Sequence, residues 1–237
     1  MSERVTIAPR FRGPPDSANG GYACGMLARS IDPTAAEVSL RLPPPLERPL
    51  EVEPVDGGAV LRDRDAVVAE GTAIDGLDVQ PPAPVGIEEA AAASRRSALF
   101  DRHPFPTCFV CGPERASGDG LRVIPGPVEG REVVAAPWTP DESLVGDDGS
   151  IPPEIEWAAL DCPSGNAAMM LTPDIGVAVL ARLAVRITSP VEPGVPHVAL
   201  GWTLGREGRK AHSGSALFTA GGEVVGLGRA LWIELKR

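Results

Sequence analysis

The stretch Ala59–Ile74, AVLRDRDAVVAEGTAI, decides the reading because it returns later in the chain. Laid without gaps on Ala216–Leu231, ALFTAGGEVVGLGRAL, it is identical at Ala59/Ala216, Val67/Val224, Val68/Val225, Gly71/Gly228 and Ala73/Ala230. Leu61/Phe218 and Ile74/Leu231 agree in character. Each copy reads as strand, tight polar turn, strand, with Asp63-Arg64-Asp65 and Ala220-Gly221-Gly222 as the turns. Upstream, Leu40–Glu47 (LRLPPPLE) aligns on Val185–Glu192 (VRITSPVE) and shares Arg41/Arg186, Pro45/Pro190 and Glu47/Glu192. Further upstream, Asn19–Ala28 (NGGYACGMLA) sets against Pro152–Asp161 (PPEIEWAALD). Both open on Gly or Pro and continue at helical spacing. Turn, helix, strand, strand, strand therefore occurs twice in one order, which predicts a tandem duplication. One helix followed by an antiparallel meander is an α+β unit. Two copies can cover each other's open faces, and the groove between them is where a ligand is expected.

Between the copies, Asp78–Ser97 (DVQPPAPVGIEEAAAASRRS) opens Pro-rich and extended, then turns Ala/Glu-rich, which suits a connector holding a short helix. The expected organisation is an N-terminal unit over 1–80, a connector over 81–100 and a C-terminal unit over 101–237. The 237 residues suffice to bury a core without disulfide staples. Hydrophobic residues at 43% against charged residues at 23% mark a globular chain rather than a disordered one. Lys+Arg is 22 and Asp+Glu is 32, a net charge of −10. That balance argues against a nucleic-acid or anionic-membrane binder, both of which need a dominant basic surface. Apolar runs such as Gly176–Ala181 are broken by Arg182 and Arg186, so no segment reads as a bilayer span. MSERVTIAPR at the start lacks the apolar stretch of a signal peptide. The expectation is a cytoplasmic protein with Cys24, Cys108, Cys111 and Cys162 as reduced thiols. Aromatics are only 4%, so the core must rest on Val, Leu, Ala and Ile.

Several motifs resemble a known family. Ala18-Asn19-Gly20-Gly21-Tyr22 is similar to the His-Gly-Gly-Tyr opening of the central helix in the hotdog-fold thioesterase superfamily, with Asn in place of His. Val38–Pro45 (VSLRLPPP) resembles that family's strand ending in Arg-Pro. Arg209 to Trp232 resembles its closing hairpin, and Cys108-Phe-Val-Cys111-Gly112 with Gly120-Leu121 resembles the opening of many single-hotdog members. The chain as a whole resembles the tandem, double-hotdog form found in acyl-CoA thioesterase II-like proteins. The resemblance implies two antiparallel sheets, each wrapped on a central helix and joined as a pseudo-dimer. It implies an acyl-CoA thioester held between the units and hydrolysed without cofactor or metal, and it allows such bodies to pair as homodimers. A helix N-terminus would polarise the thioester carbonyl, and a carboxylate on the facing helix would activate water.

On these residues the candidate site forms. Asn19, Gly20, Gly21 and Tyr22 open a helix, where N–H groups are unpaired and the dipole end is positive. The N–H of Gly21 or Tyr22 could meet a thioester oxygen, as in an oxyanion hole. The plainer alternative is an Asn19 N-cap beside an ordinary glycine turn. Asp161 stands late on an apolar helix where the first copy has Ala28, and is the candidate general base. Its alternative role is to cap a second helical segment starting at Pro163. Glu154 and Glu156 rank below it, since first-turn carboxylates usually serve the dipole. The Gln that the family places near its catalytic Asp falls at Ala230, with Ser164, Asn166, Thr188 and Ser189 as polar substitutes. Trp157 reads as a core residue, with an acyl-pocket wall as the alternative, and Arg209, Lys210 and His212 are candidate partners for the phosphates of CoA or a solvated strand end. Cys108 and Cys111 with His103 lack a second close pair of ligands in sequence, so they read as buried thiols in an ordered loop rather than as a metal centre. A hydratase on the same fold is the more distant alternative, weakened by the absence of His from either helix opening. A non-catalytic acyl-CoA or lipid binder is the nearer one.

Overall fold

The computed structural model describes residues 3–236. Its strands are β1 (Glu3–Thr6), β2 (Ala35–Leu40), β3 (Pro49–Val55), β4 (Gly58–Asp63), β5 (Ala66–Ala73), β6 (Gly126–Pro127), β7 (Val133–Trp138), β8 (Ala178–Ile187), β9 (His197–Glu207), β10 (Lys210–Thr219) and β11 (Val224–Glu234). Its α-helices are α1 (Gly20–Ala28), α2 (Ile87–Arg95) and α3 (Pro153–Leu171). Period-two alternation makes the strands two-faced. On β3, Leu50 and Val52 are buried, while Glu51 and Glu53 lie on the outer face.

All the strands join one antiparallel sheet in the order β1-β3-β4-β5-β2-β8-β11-β10-β9-β7-β6. Counted outward from the central β2–β8 pair, one half runs β2, β5, β4, β3, β1 and the other β8, β11, β10, β9, β7, with the short β6 added at its end. In both halves a helix precedes the central strand, and a long hairpin follows. The two hairpins even share an irregularity, a register shift after Leu61 in one and after Leu217 in the other.

The ladders correct the sequence alignment in two places. Leu61 corresponds to Leu217 rather than Phe218, because Arg64-Asp65 closes one hairpin and the longer Ala220-Gly221-Gly222 closes the other. Val38 sits opposite Gly71 as Val185 sits opposite Gly228, so Val38 corresponds to Val185 and the Arg41/Arg186 identity is two residues out of register. The strand expected over Val38–Pro45 stops at Leu40. Pro43, Pro44 and Pro45 have no N–H to offer a ladder.

α1 and α3 pack together against one face of the sheet. α1 and α3 cross at very close range, and glycine permits it. A Cβ on Gly21 would lie 2.4 Å from Asp161 Cβ, and one on Gly25 would lie 2.5 Å from Glu154 Cα. Gly20 and Gly21 are thus helical residues at a packing contact rather than a turn. α3 runs through Pro163 without interruption, so Asp161 does not cap a second segment. β9 passes beneath at Gly201, where a Cβ would meet the Pro163 carbonyl at 2.1 Å.

The opposite face is treated differently in the two halves. The connector helix α2 packs Ala90 and Ala93 with Val133, Ala135, Leu200, Trp202 and Phe218 over the second half. The first half shows Glu51, Glu53, Arg62 and Glu70 there instead. At the seam, Glu37 of β2 pairs with Arg182 of β8 at 3.5 Å and Arg229 of β11 at 3.4 Å. Among the described residues, no helix is long and apolar enough to cross a membrane.

Candidate active site

A cleft of about 520 Å³ opens along the seam. Its walls come from the 13–20 loop and the Leu40–Pro44 segment of the first half, from His103–Cys111, and from α3, β8 and the end of β11. Leu40, Leu180, Met169 and Trp232 make most of it apolar, and Leu42 and Leu235 stand half-exposed at its rim.

Asn19 and Asp161 meet at its floor. Asn19 is the N-cap of α1, its Oδ1 accepting the Tyr22 N–H at 2.9 Å. Its Nδ2 donates to Asp161 Oδ2 at 2.8 Å. The same Oδ2 accepts the Gly21 N–H, also at 2.8 Å. Asp161 Oδ1 has no hydrogen-bond partner among the described residues. Asp161 is 2% exposed, and burial pushes its carboxyl up to about 7. The Gly21 N–H and Asn19 amide pull the other way, and the Cys108 sulfur adds to the rise. The carboxylate therefore docks on the positive end of α1 with one oxygen held and one left over.

This geometry corrects the expected oxyanion hole. The Gly21 N–H is spent on Asp161 and the Tyr22 N–H on Asn19, so neither is free for a ligand carbonyl. The N–H of Gly20, a residue that lines the cleft, forms no hydrogen bond with the described residues.

The other expected site residues divide. Asn166 lines the cleft. Ser164 is fully buried behind it, donating to the Asp161 carbonyl at 2.7 Å and accepting from Trp232 Nε1 at 3.0 Å. Tyr22 is buried and stacked on Phe11, ring centroids 4.0 Å apart, so it supports α1 and does not line the cleft. Trp157 is fully buried under the α1–α3 crossing with its Nε1 on the Pro33 carbonyl, a core residue and not an acyl wall. Arg209 and Lys210 lie at the exposed β9–β10 turn, where Arg209 donates to the Glu234 carbonyl; neither lines the cleft. Thr188 and Ser189 follow β8 at its far end, away from Asp161. Glu154 pairs with Arg29 at 3.1 Å, joining the N-terminus of α3 to the C-terminus of α1. Glu156 is buried in the core, and neither glutamate reaches the cleft.

What sequence spacing missed is the His103–Cys111 wall. Cys108 and Cys111 arrive beside Cys162, which lies directly after Asp161 on α3. The Cys108 and Cys162 sulfurs are 3.8 Å apart. The Cys-x-x-Cys motif carried a signal, but its third member lies on a helix far along the chain.

No family model and no curated protein sequence matches the chain. Solved structures do. A protein provisionally assigned as a thioesterase II from Thermobifida fusca superposes with a TM-score of 0.64 at 17% identity, covering 99% of this chain and 92% of that one. A hotdog-fold protein of unknown function from Alicyclobacillus acidocaldarius gives 0.62 at 11% identity, covering 100% and 94%. A protein provisionally assigned as a thioesterase from Novosphingobium aromaticivorans gives 0.64 at 13% identity, covering 99% and 96%. At these identities the likeness shows the fold alone, and that fold is the hotdog.

Proposed function

We propose that the chain is two hotdog units in tandem and that it hydrolyses an acyl-CoA thioester in the cleft at their seam. The repeated strand order supports the tandem reading, with each half supplying one wall. The observation that carries the chemistry is the Asp161 carboxylate at the cleft floor, one oxygen anchored by Asn19 and Gly21 and the other without a partner. An anchored carboxylate with a spare oxygen can orient a water and take its proton as that water attacks the thioester carbon. The electrons of the broken C–S bond leave with the CoA sulfur. The Gly20 N–H is the remaining helix-end donor for the carbonyl oxygen. The apolar walls suit a fatty or aromatic acyl group. Only one site per chain is complete, since Ala28 and Pro152-Pro153 stand at the corresponding positions.

A second reading has its own support. The two donors on Asp161 also make a stable internal cap, which suits a protein that binds acyl-CoA without cleaving it. Release of free thiol from a panel of acyl-CoAs by wild type and Asp161→Asn separates the two. Hydrolysis predicts a loss of about 10²-fold or more in the variant. Equal background rates from both proteins, with acyl-CoA still binding, establish the binder.

A further inference from the structure

Cys108, Cys111 and Cys162 have sulfurs all within 4.8 Å of one another, and all are buried. They come from two places, a loop and the middle of α3. Cys108 and Cys162 stand 3.8 Å apart. A tetrahedral ion with metal–sulfur bonds of about 2.3 Å spaces its sulfurs about 3.8 Å apart. Two polar side chains also face the sulfurs. Asn19 Nδ2 points at Cys108 Sγ and Cys162 Sγ from 4.0 and 3.8 Å. His103 Nδ1 accepts the Phe105 N–H at 2.8 Å, which leaves the proton of the neutral ring on Nε2, 3.1 Å from Cys111 Sγ. His103 is thereby a hydrogen-bond donor to sulfur, the kind of outer contact that orients and tunes a metal ligand.

We propose that Cys108, Cys111 and Cys162 form a three-thiolate site for a thiophilic divalent cation of the zinc class, its fourth position filled by water or a ligand from the cleft. Three sulfurs on three corners of a tetrahedron are what such an ion selects over calcium or magnesium, which prefer oxygen. The thiol protons leave as the cation enters. A disulfide accounts for the cluster less well. It would close one pair from 3.8 Å to about 2.0 Å and leave the third thiol idle. The ion would tie the 103–112 loop to α3 beside Asp161 and hold that wall of the cleft in place. This inference is independent of whether the cleft hydrolyses thioesters.

The test is the metal content of the purified full-length protein, followed by Co²⁺ titration of the stripped protein, read by thiolate-to-cobalt charge-transfer absorption. The expected result is about one bound ion per chain and a charge-transfer band that saturates at one equivalent. Cys108→Ser and Cys162→Ser should each weaken uptake at least tenfold, while Cys24→Ser, altered at a buried thiol on α1, should keep it. The wild-type titration needs no variant, so a misfolded variant does not decide the matter. Absence of both metal and band from wild type overturns the proposal. So does a band that persists in the Cys108→Ser/Cys162→Ser protein, or an intact mass showing a disulfide within the cluster of freshly purified protein.

Discussion

At the scale of single residues, two buried carboxyls on α3 show how surroundings assign different roles to one chemical group. Asp161 is met by two donors and borders the cleft. Glu156 is 2% exposed, its Oε2 has no hydrogen-bond partner among the described residues, and burial pushes it up to about 7 against a weaker pull from the Val191 backbone. A carboxyl raised in the folded state binds its proton more tightly there than in the unfolded chain. Its contribution is therefore most favourable below the ordinary value of 4.5, declines as pH rises from there to about 7, and is flat above. Glu156→Gln should be more stable than the parent at about pH 8, by about 1–3 kcal/mol, with the gap closing near pH 4. Urea denaturation of both proteins across that range measures it. The sequence exposed Asn19 and Asp161 as candidates because each occupies a marked place in a repeated motif. It did not expose their contact, which depends on how closely two helices cross. Arg209 and Lys210 fall outside the groove for the related reason that residue type alone does not say which face of an element meets it.

Among elements, the α1–α3 crossing governs everything near the cleft. Helix propensity predicts that Gly25→Ala stabilises α1 by about 1 kcal/mol. Packing predicts the reverse, because the new Cβ would lie 2.5 Å from Glu154 Cα, a backbone atom that cannot swing aside. Packing should win, and Gly25→Ala is expected to cost about 1–3 kcal/mol in a denaturant melt. Gly25 does not line the cleft, so the loss tests the crossing without touching the chemistry. The hairpins were the most legible elements. Their Val-Val and Gly-x-Ala spacing survives in β5 and β11, where equivalent residues keep equivalent ladder partners. Legibility failed by one or two residues wherever turn length differed. A gapless comparison has no means to sense an extra residue at Gly222, which takes a φ of 88° to close its turn.

For the whole molecule, the seam replaces what would otherwise be an exposed edge and an exposed helix face in each half. β2 pairs with β5 on one side and β8 on the other, and α1 rests on α3. Residues 1–80 alone should therefore fail to unfold cooperatively, while the same piece co-expressed with 81–237 should recover a single transition. Thermal melts followed by circular dichroism distinguish the two, and a cooperative melt of the lone fragment would contradict this account. Glu37 with Arg182 and Arg229 adds little to that dependence, since all three are partly solvated.

Among the described residues, the sheet ends on two short strands. One is the four-residue β1; the other is β6, a two-residue strand that includes Pro127. β1 covers Pro49–Val52 of β3 and β6 covers Val134 and Ala135 of β7, and short strands and a proline blunt an edge against pairing by another chain. A protein built around so wide a β surface thereby presents short, interrupted ends rather than one long flat edge to its surroundings.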